Sequence, residues 1–491
     1  MGSDIDRVEF SEADLPVFSA LLEKNLVELD RVLDTPGFGQ GPGAVGAELE
    51  VYIVDAQGNP LYANQEIMAD ANDPQLTLEL NRYNLEYNLT PRNLSDSPFQ
   101  KTETEIRDKL AGLKAVAAQH GARVVSIGIL PTLTPTDFGS HCITDKKRYH
   151  ALVAQLIKRR GSRFHIDISG REPLKLEMED ITLEGANTSF QVHYRVAPDK
   201  FADTFNAIQL VTPLAVAIGA NSPTLFGHSL WHETRIPLFK QSVDTRHVDR
   251  YSWKEPARVN YGQGWARRGA GELFHESVRL YPPLLPMCAQ AASPLTAGEA
   301  PTLAELRLHQ STVWLWNRAV YDNVDGGHLR IEMRALPAGP SAVDMVANAA
   351  FLIGLAEGLR PQINQMLPAL PFDIAQNNFY RAAQSGLQAK LVWPQAGQSG
   401  CKEQTVSAII EQLLPCAQQG LDDIGISRKE SDRYLTVIEM RLRRQQTGAI
   451  WQQSRLEQLK ARLPLDDALH RMLEEFMINS ESNTPVAEWT L

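Results

Sequence analysis

The sequence predicts an α+β fold on a mainly antiparallel sheet, followed by a helical C-terminal segment. Three observations predict it. Four short segments alternate apolar and polar residues with the two-residue period of a strand. Helical-period stretches lie among them without a strict strand–helix–strand rhythm, which favours antiparallel pairing. Beyond the polar, Gly- and Pro-containing stretch 392–403, the pattern stays helical through residue 491.

In order, Leu15, Phe18, Leu21, Leu22, Leu26 and Leu29 predict an amphipathic helix over 13–34. The loop GFGQGPG leads into GAELEVYIVD (46–55), a strand whose apolar set is Val45, Ala47, Leu49, Val51 and Ile53. DAQGNP closes it with turn residues. YNLEYNLTP (83–91) is a second strand. Ser95 to Pro98 start a helix with the apolar face Ile106, Leu110, Leu113 and Val116, stopped by Gly121. RVVSIGILP (123–131) reads as a buried strand and 145–161 as a helix. TSFQVHYRV (188–196) is a third alternating strand, followed by an apolar helix over 199–219. A helix over 302–321, the strand HLRIEMRAL (328–336) and an apolar helix over 341–358 complete the central part. The expected division is an N-terminal helical segment (1–40), a catalytic domain (41–392) and a helical segment packed on it (393–491).

Composition narrows the function. The chain has 491 residues, 43% hydrophobic and 22% charged, with net charge −11. That balance argues against a nucleic-acid backbone or an anionic membrane as main partner. Cys142, Cys288, Cys401 and Cys416 are far apart and form no C-x-x-C pair, so a zinc ribbon or redox motif is not indicated. Few cysteines, no apolar signal core in MGSDIDRVEFSEADLP and no apolar run long enough to span a bilayer predict a soluble cytoplasmic protein.

The polar faces of the four strands carry the chemistry. Glu48 and Glu50 share the face opposite Leu49 and Val51. Alone, such a pair reads as the solvated side of an edge strand. Yet Glu86, with Glu79 seven residues before it, then His193, and then Arg330, Glu332 and Arg334 repeat the pattern. If the strands share a sheet, Glu48, Glu50, Glu79, Glu86, His193 and Glu332 fall on one surface. Several carboxylates and one imidazole suit the hard cations Mg²⁺ or Mn²⁺. Arg330 and Arg334 could grip phosphate oxygens, and cations plus arginines are the equipment of phosphoryl transfer.

These strands, with TPTDFGSHCITDKKRY (134–149), GANSPTLFG (219–227), LRIEMRALPAGPSAVDMVANAAF (329–351) and DRYLTVIEMRLRRQQTGAIWQ (432–452), resemble bacterial glutamate–cysteine ligases and their carboxylate–amine ligase relatives. The resemblance runs in patches from about residue 40 to 455. It implies a glutamine synthetase-like fold: a curved sheet with helices on its convex side, and ATP, substrate and Mg²⁺ ions on its concave face. It implies one metal set of Glu50, Glu79 and Glu86, and another of Glu48, His193 and Glu332. It makes Arg334 a phosphate contact and Arg235, in WHETRIPLF, a contact for a substrate carboxylate. No G-x-x-x-x-G-K-[ST] loop is present, in keeping with ATP held by sheet and metals. Arg195, two residues beyond His193 on the same face, departs from the family pattern; the expectation is that it borders the substrate pocket.

The activity so implied is an ATP- and Mg²⁺-dependent ligase. It would join a carboxylate, the γ-carboxylate of glutamate, to an amine, cysteine, through an acyl phosphate, as in glutathione biosynthesis. Two rivals stay open: the same chemistry with another amine, and a catalytically silent protein that binds a nucleotide or amino acid. The sequence does not specify an oligomeric state. Other suggestive residues read structurally. Cys142 beside His141 is an ordinary buried thiol. His228 and His232 are a surface pair at helical spacing, and Trp314 and Trp316 are core residues. The basic run 158–160 ends a helix, where cations suit the dipole.

Overall fold

The computed structural model describes residues 5–246, 256–289, 299–394 and 400–491. Its centre is an eight-stranded sheet: β1 (Ala44–Val54), β2 (Leu76–Leu78), β3 (Asn84–Asn88), β4 (Arg92–Asn93), β5 (Arg123–Val125), β6 (Phe190–Arg195), β7 (Asn317–Asp322) and β8 (His328–Met333). The main path runs β7-β8-β6-β1-β3-β2, with β4 and β5 pairing further along β1; every pairing is antiparallel. The four alternating strands are therefore neighbours. The register sets Glu50 opposite Glu86, Glu48 opposite Gln191, and His193 between Gly46 and Glu332.

The other face is apolar and closed. Leu49, Val51, Leu85, Phe190, Val192, Ile331 and Met333 are buried in the main core. Helices Phe201–Gly219 and Ala342–Leu359, almost wholly buried, pack against each other behind the sheet. The spans 198–219 and 342–369 are long and apolar enough to cross a membrane, more than the sequence led us to expect, but 89% and 94% of the 18 most apolar consecutive residues in each is covered by the protein. Helices Val406–Asp423 and Arg428–Arg444 pack on Ala342–Leu359. Arg441 Nη2 donates to Asp344 Oδ1 at 2.7 Å, a fully buried ion pair. Buried Glu103 accepts from Arg433, Tyr434 and Asn483. A second core joins Tyr52 and Val54 of β1 to Trp451, Met472, Phe476 and Trp489. All four cysteines are free, and Cys142 is buried in a short 3-10 turn.

Several expectations are corrected. The helix expected over 302–321 is only Ala304–Gln310; a turn at Ser311–Thr312 then releases VWLWNRAVYD into strands, including edge strand β7. Its β-branched and aromatic residues fit a pleated surface better than a helix. The strand expected over 123–131 stops at Val125. His228 lies in a two-residue strand and His232 is in a coil; no helix spaces them. The stretch 392–403 overlaps a hairpin, Lys390–Pro394 with Cys401–Thr405, before the helices begin. Trp316 is core, but Trp314 is half-buried and borders the polar cavity. Arg160 is buried, with its guanidinium on backbone carbonyls of Arg163 and Asp244.

Candidate active site

Two groups of side chains converge on the polar face of the sheet. Ligand atoms of Glu50, Glu79 and Glu86 lie within 4.8 Å of one another, as do those of Glu48, His193 and Glu332. These are the two sets that the resemblance implies. β1 supplies one residue to each group because Glu48 and Glu50 are successive on one face, with β3 on one flank and β6 on the other.

Their surroundings differ. Glu50 is held by three donors: Ser189 N at 2.7 Å, Ser189 Oγ at 3.0 Å and Gln191 Nε2 at 3.0 Å. Burial still raises its pKa, despite Arg235 and Arg334 nearby. Burial pushes Glu86 up to about 8, with the charges of Glu48 and Glu50 adding to the push. Glu79 is raised well above the usual range by burial and by Glu86, Glu50 and Glu184. This first group is short of positive charge. Like-charged buried carboxylates at such distances stay ionised only when a cation lies among them. The all-oxygen donor set fits a hard divalent ion.

The second group carries its own cations. Glu332 is buried but takes a bidentate grip from Arg318, with Nε at 2.6 Å and Nη2 at 3.0 Å. Against the upward push of burial, Arg318 and Arg334 bring it down to about 2. Glu48 is also lowered well below the usual range, again against burial, by positive charge around it to which Arg334 contributes. His193 Nε2 lies 3.2 Å from Glu48 Oε1. Arg330 Nε donates to His193 Nδ1 at 3.1 Å, and Arg330 Nη1 to Asp322 Oδ2 at 2.7 Å. That bond requires a lone pair on Nδ1, so the neutral ring carries its proton on Nε2. His193 can serve as an Nε2 ligand only after Arg330 withdraws.

A cavity of about 250 Å³ opens over this face, with Glu48, Glu50, Glu79, Glu86, Gln191 and Arg334 on its floor side. Lys146, Arg148, Tyr149 and Trp314 border it too. Arg334 is half-buried and donates to Gln191 Oε1. A smaller cavity continues from it, sharing Glu50, Glu184 and Arg334 and bordered also by Arg235. Arg235 is 2% exposed and its Nη1 donates to Glu233 Oε1 at 3.1 Å. Arg330 borders a separate pocket beside Glu332 and Arg318.

Arg195 is not brought in. It sits opposite Arg330 on β8 and borders neither of the two cavities over the carboxylates. The loop before β1 covers it: a Cβ on Gly41 would lie 2.1 Å from Arg195 Nη2. One strand repeat beyond His193 is thus already under that loop. Sequence reasoning missed Glu184, Arg318 and Gln191. Gln191 and Arg318 share the alternation of their strands, although Arg318 lay inside the misread helix. Glu184, on a 3-10 turn, carries no periodic signal.

Known proteins resemble this chain in sequence and in fold. Residues 44–257, the span from β1 past β6, match the sequence model of glutamate-cysteine ligase family 2. A Frankia alni protein named "Putative glutamate--cysteine ligase 2-1" is 24% identical over 326 residues, covering 64% of this chain and 67% of its own. Among solved structures, a bifunctional glutathione synthetase from Pasteurella multocida superposes with a TM-score of 0.51 at 10% identity, over 94% of this chain and 55% of that one. The fold is therefore shared with that enzyme, in keeping with the glutamine synthetase-like architecture the resemblance implies. A glutamate–cysteine ligase from Francisella tularensis, solved in complex with AMP, gives 0.40 at 13% identity over 92% of this chain and 96% of that one. The resemblance read from the strand motifs thus holds: through residues 44–257, the chain matches the glutamate–cysteine ligases.

Proposed function

We propose that the protein is an ATP-dependent carboxylate–amine ligase that activates the γ-carboxylate of glutamate as an acyl phosphate and transfers it to an amine, cysteine. The observation that carries this reading is the pair of carboxylate groups on one sheet face with Arg334, Arg318 and Arg330 around them. A carboxylate is a poor electrophile, so the reaction needs a phosphoryl group placed in line with it. Mg²⁺ bound by Glu50, Glu79 and Glu86, and by Glu48, Glu332 and His193, would neutralise the phosphates of ATP. Arg334, already between the groups, is placed to hold a phosphate oxygen as charge shifts during transfer. Arg330 can join it on leaving His193. Arg235 would hold the substrate carboxylate that does not react. The walls formed by Tyr149, Trp314 and Leu152 restrict water, which would otherwise hydrolyse the acyl phosphate. We place the activity in the cytoplasm, where ATP and reduced thiols coexist.

Phosphate release is to be measured with ATP, Mg²⁺ and glutamate against a panel of amines. The expected products are ADP and phosphate, with cysteine the best amine. AMP and pyrophosphate would overturn the acyl-phosphate route, and a different preferred amine would overturn cysteine alone.

A further inference from the structure

The small cavity beside Arg334 contains polar atoms that no protein partner satisfies. Arg235 is almost fully buried and borders it, yet its Nε has no acceptor. Asn187 Nδ2 donates to the backbone oxygen of Glu184 at 2.7 Å, which fixes the amide; its Oδ1 is buried and has no donor. Among the described residues, no side-chain hydrogen bond or ion pair is found for the Glu184 carboxylate, although it borders both cavities. Glu184 is also outside both groups of converging ligands. Buried donors and acceptors left in this state cost free energy until a ligand arrives.

The turn that carries Glu184 and leads to Asn187 is held rigidly on the sheet. Tyr52 Oη donates to Ala186 O at 2.6 Å and Asn81 Nδ2 to Thr182 O at 2.8 Å. Gly185 lies so close to Asn81 that a Cβ there would come within 2.3 Å of Nδ2. The two acceptors are therefore prepositioned features of the site.

We infer that Glu184 and Asn187 receive the ammonium group of an α-amino acid whose carboxylate is held at Arg235, and so select a zwitterionic substrate. This rests on the ligase reading above. A missing donor facing one carboxylate and one amide oxygen matches a singly charged –NH₃⁺, which brings three donors and no acceptor. A divalent ion would call for several ligands, and Glu184 belongs to neither group of three converging ligand atoms. The missing acceptor at Arg235 matches the other half of the same head group. The shared Glu50 and Arg334 then lead the remainder of the substrate into the larger cavity, where the carboxylate groups lie. The same chemistry can come from the acyl donor or from the acceptor amino acid.

The test is equilibrium binding by calorimetry, with Mg²⁺ and a non-hydrolysable ATP analogue, to the full chain and to Glu184→Gln. The ligand pairs are L-glutamate with glutarate, and L-cysteine with 3-mercaptopropionate; each pair differs by the amino group. The expected wild-type preference for one amino-bearing member is at least about tenfold, shrinking to within about twofold in Glu184→Gln. Collapse in the first pair assigns the corner to the acyl donor, and in the second to the acceptor. No wild-type preference in either pair, or a preference that survives Glu184→Gln, overturns the inference. So does a fall in Mn²⁺ stoichiometry with amino-acid preference intact. Asn187→Ser gives the same readout if Glu184→Gln does not fold. Absence of turnover with every amine, with the binding pattern as expected, would instead count against the ligase reading.

Discussion

Removing divalent cations should make stability fall as pH rises through neutrality, and the size of the effect follows from the carboxylate cluster. Glu86 has an ordinary value near 4.5 and about 8 in the folded, cation-free site. Between those values the folded protein holds a proton that the unfolded chain has lost. A folded value raised above the unfolded one gives stability that is present at low pH and lost as pH rises through the folded value. The slope is about 1.4 kcal/mol per pH unit for each such group. Glu184, also pushed by burial to about 8, contributes equally, and Glu79 adds in the same direction. Glu48 and Glu332, with depressed values, contribute a constant amount above pH 5. His232 and buried His309, both lowered to about 4, change only below about 6.5. The informative window is therefore pH 6.5–7.5. Glu86 and Glu184 together cost about 2.4 kcal/mol across it, and Glu79 and half-buried Glu276, the latter pushed up to about 7 by burial, bring the loss to about 3 kcal/mol or more. With an unfolding entropy of roughly 2.1 cal/mol/K per residue, 491 residues give about 1 kcal/mol/K, so Tm in EDTA should drop by about 3 °C. Excess Mn²⁺ replaces the proton on Glu86, so its stabilising effect should grow with pH. At pH 7 its binding should release about one proton or more, read by calorimetry in buffers of different ionisation enthalpy. A Tm in EDTA that rises or stays flat over this window, or Mn²⁺ binding without proton release, would refute the reasoning.

Glu332→Gln should reduce turnover by about 100-fold or more and also lower Tm, because buried Arg318 loses its counter-charge at a cost of about 3 kcal/mol; full activity per folded molecule would return Glu332 to a structural role. Arg330→Met frees His193 Nδ1 to carry the ring proton, so Mn²⁺ affinity at the second group, followed by paramagnetic resonance, should rise several-fold; unchanged or weaker binding counts against the tautomer argument. Arg195→Lys should leave the Michaelis constants for ATP and amino acid within about twofold, since the guanidinium lies under the Gly41 loop; a tenfold rise for the amino acid alone would place it back in the pocket.

Five of the six carboxylate and imidazole residues were legible because a strand advertises its face. Alternation placed Glu48, Glu50, Glu86, His193 and Glu332 on one side before any pairing was known. Which of them meet depends on register, a tertiary property, and the grouping came from resemblance rather than from the alternation itself. Glu79 follows a three-residue strand too short to show a period. Glu184 and Asn187 were not legible, because a 3-10 turn shows no face in sequence and its seat on Tyr52 and Asn81 is wholly long-range. Arg318 was hidden by a local error: leucines in 303–308 extended a helical pattern across the turn at Ser311–Thr312.

The fastening of the later helices constrains how the chain acquires its structure during synthesis. Asp344 and Glu103 lie deep in the part of the protein that is made first, yet their partners are Arg441, Arg433, Tyr434 and Asn483. Tyr52 and Val54 of β1 likewise wait for Trp451 and Phe476. A nascent chain that has emerged only to residue 420 would hold two carboxylates in apolar surroundings without counter-charges, and helix Ala342–Leu359 would still lack its neighbour Arg428–Arg444. Stable closure of the sheet must therefore follow emergence of residues 430–489. Until then the chain is a client for whatever shields apolar surface at the ribosome exit.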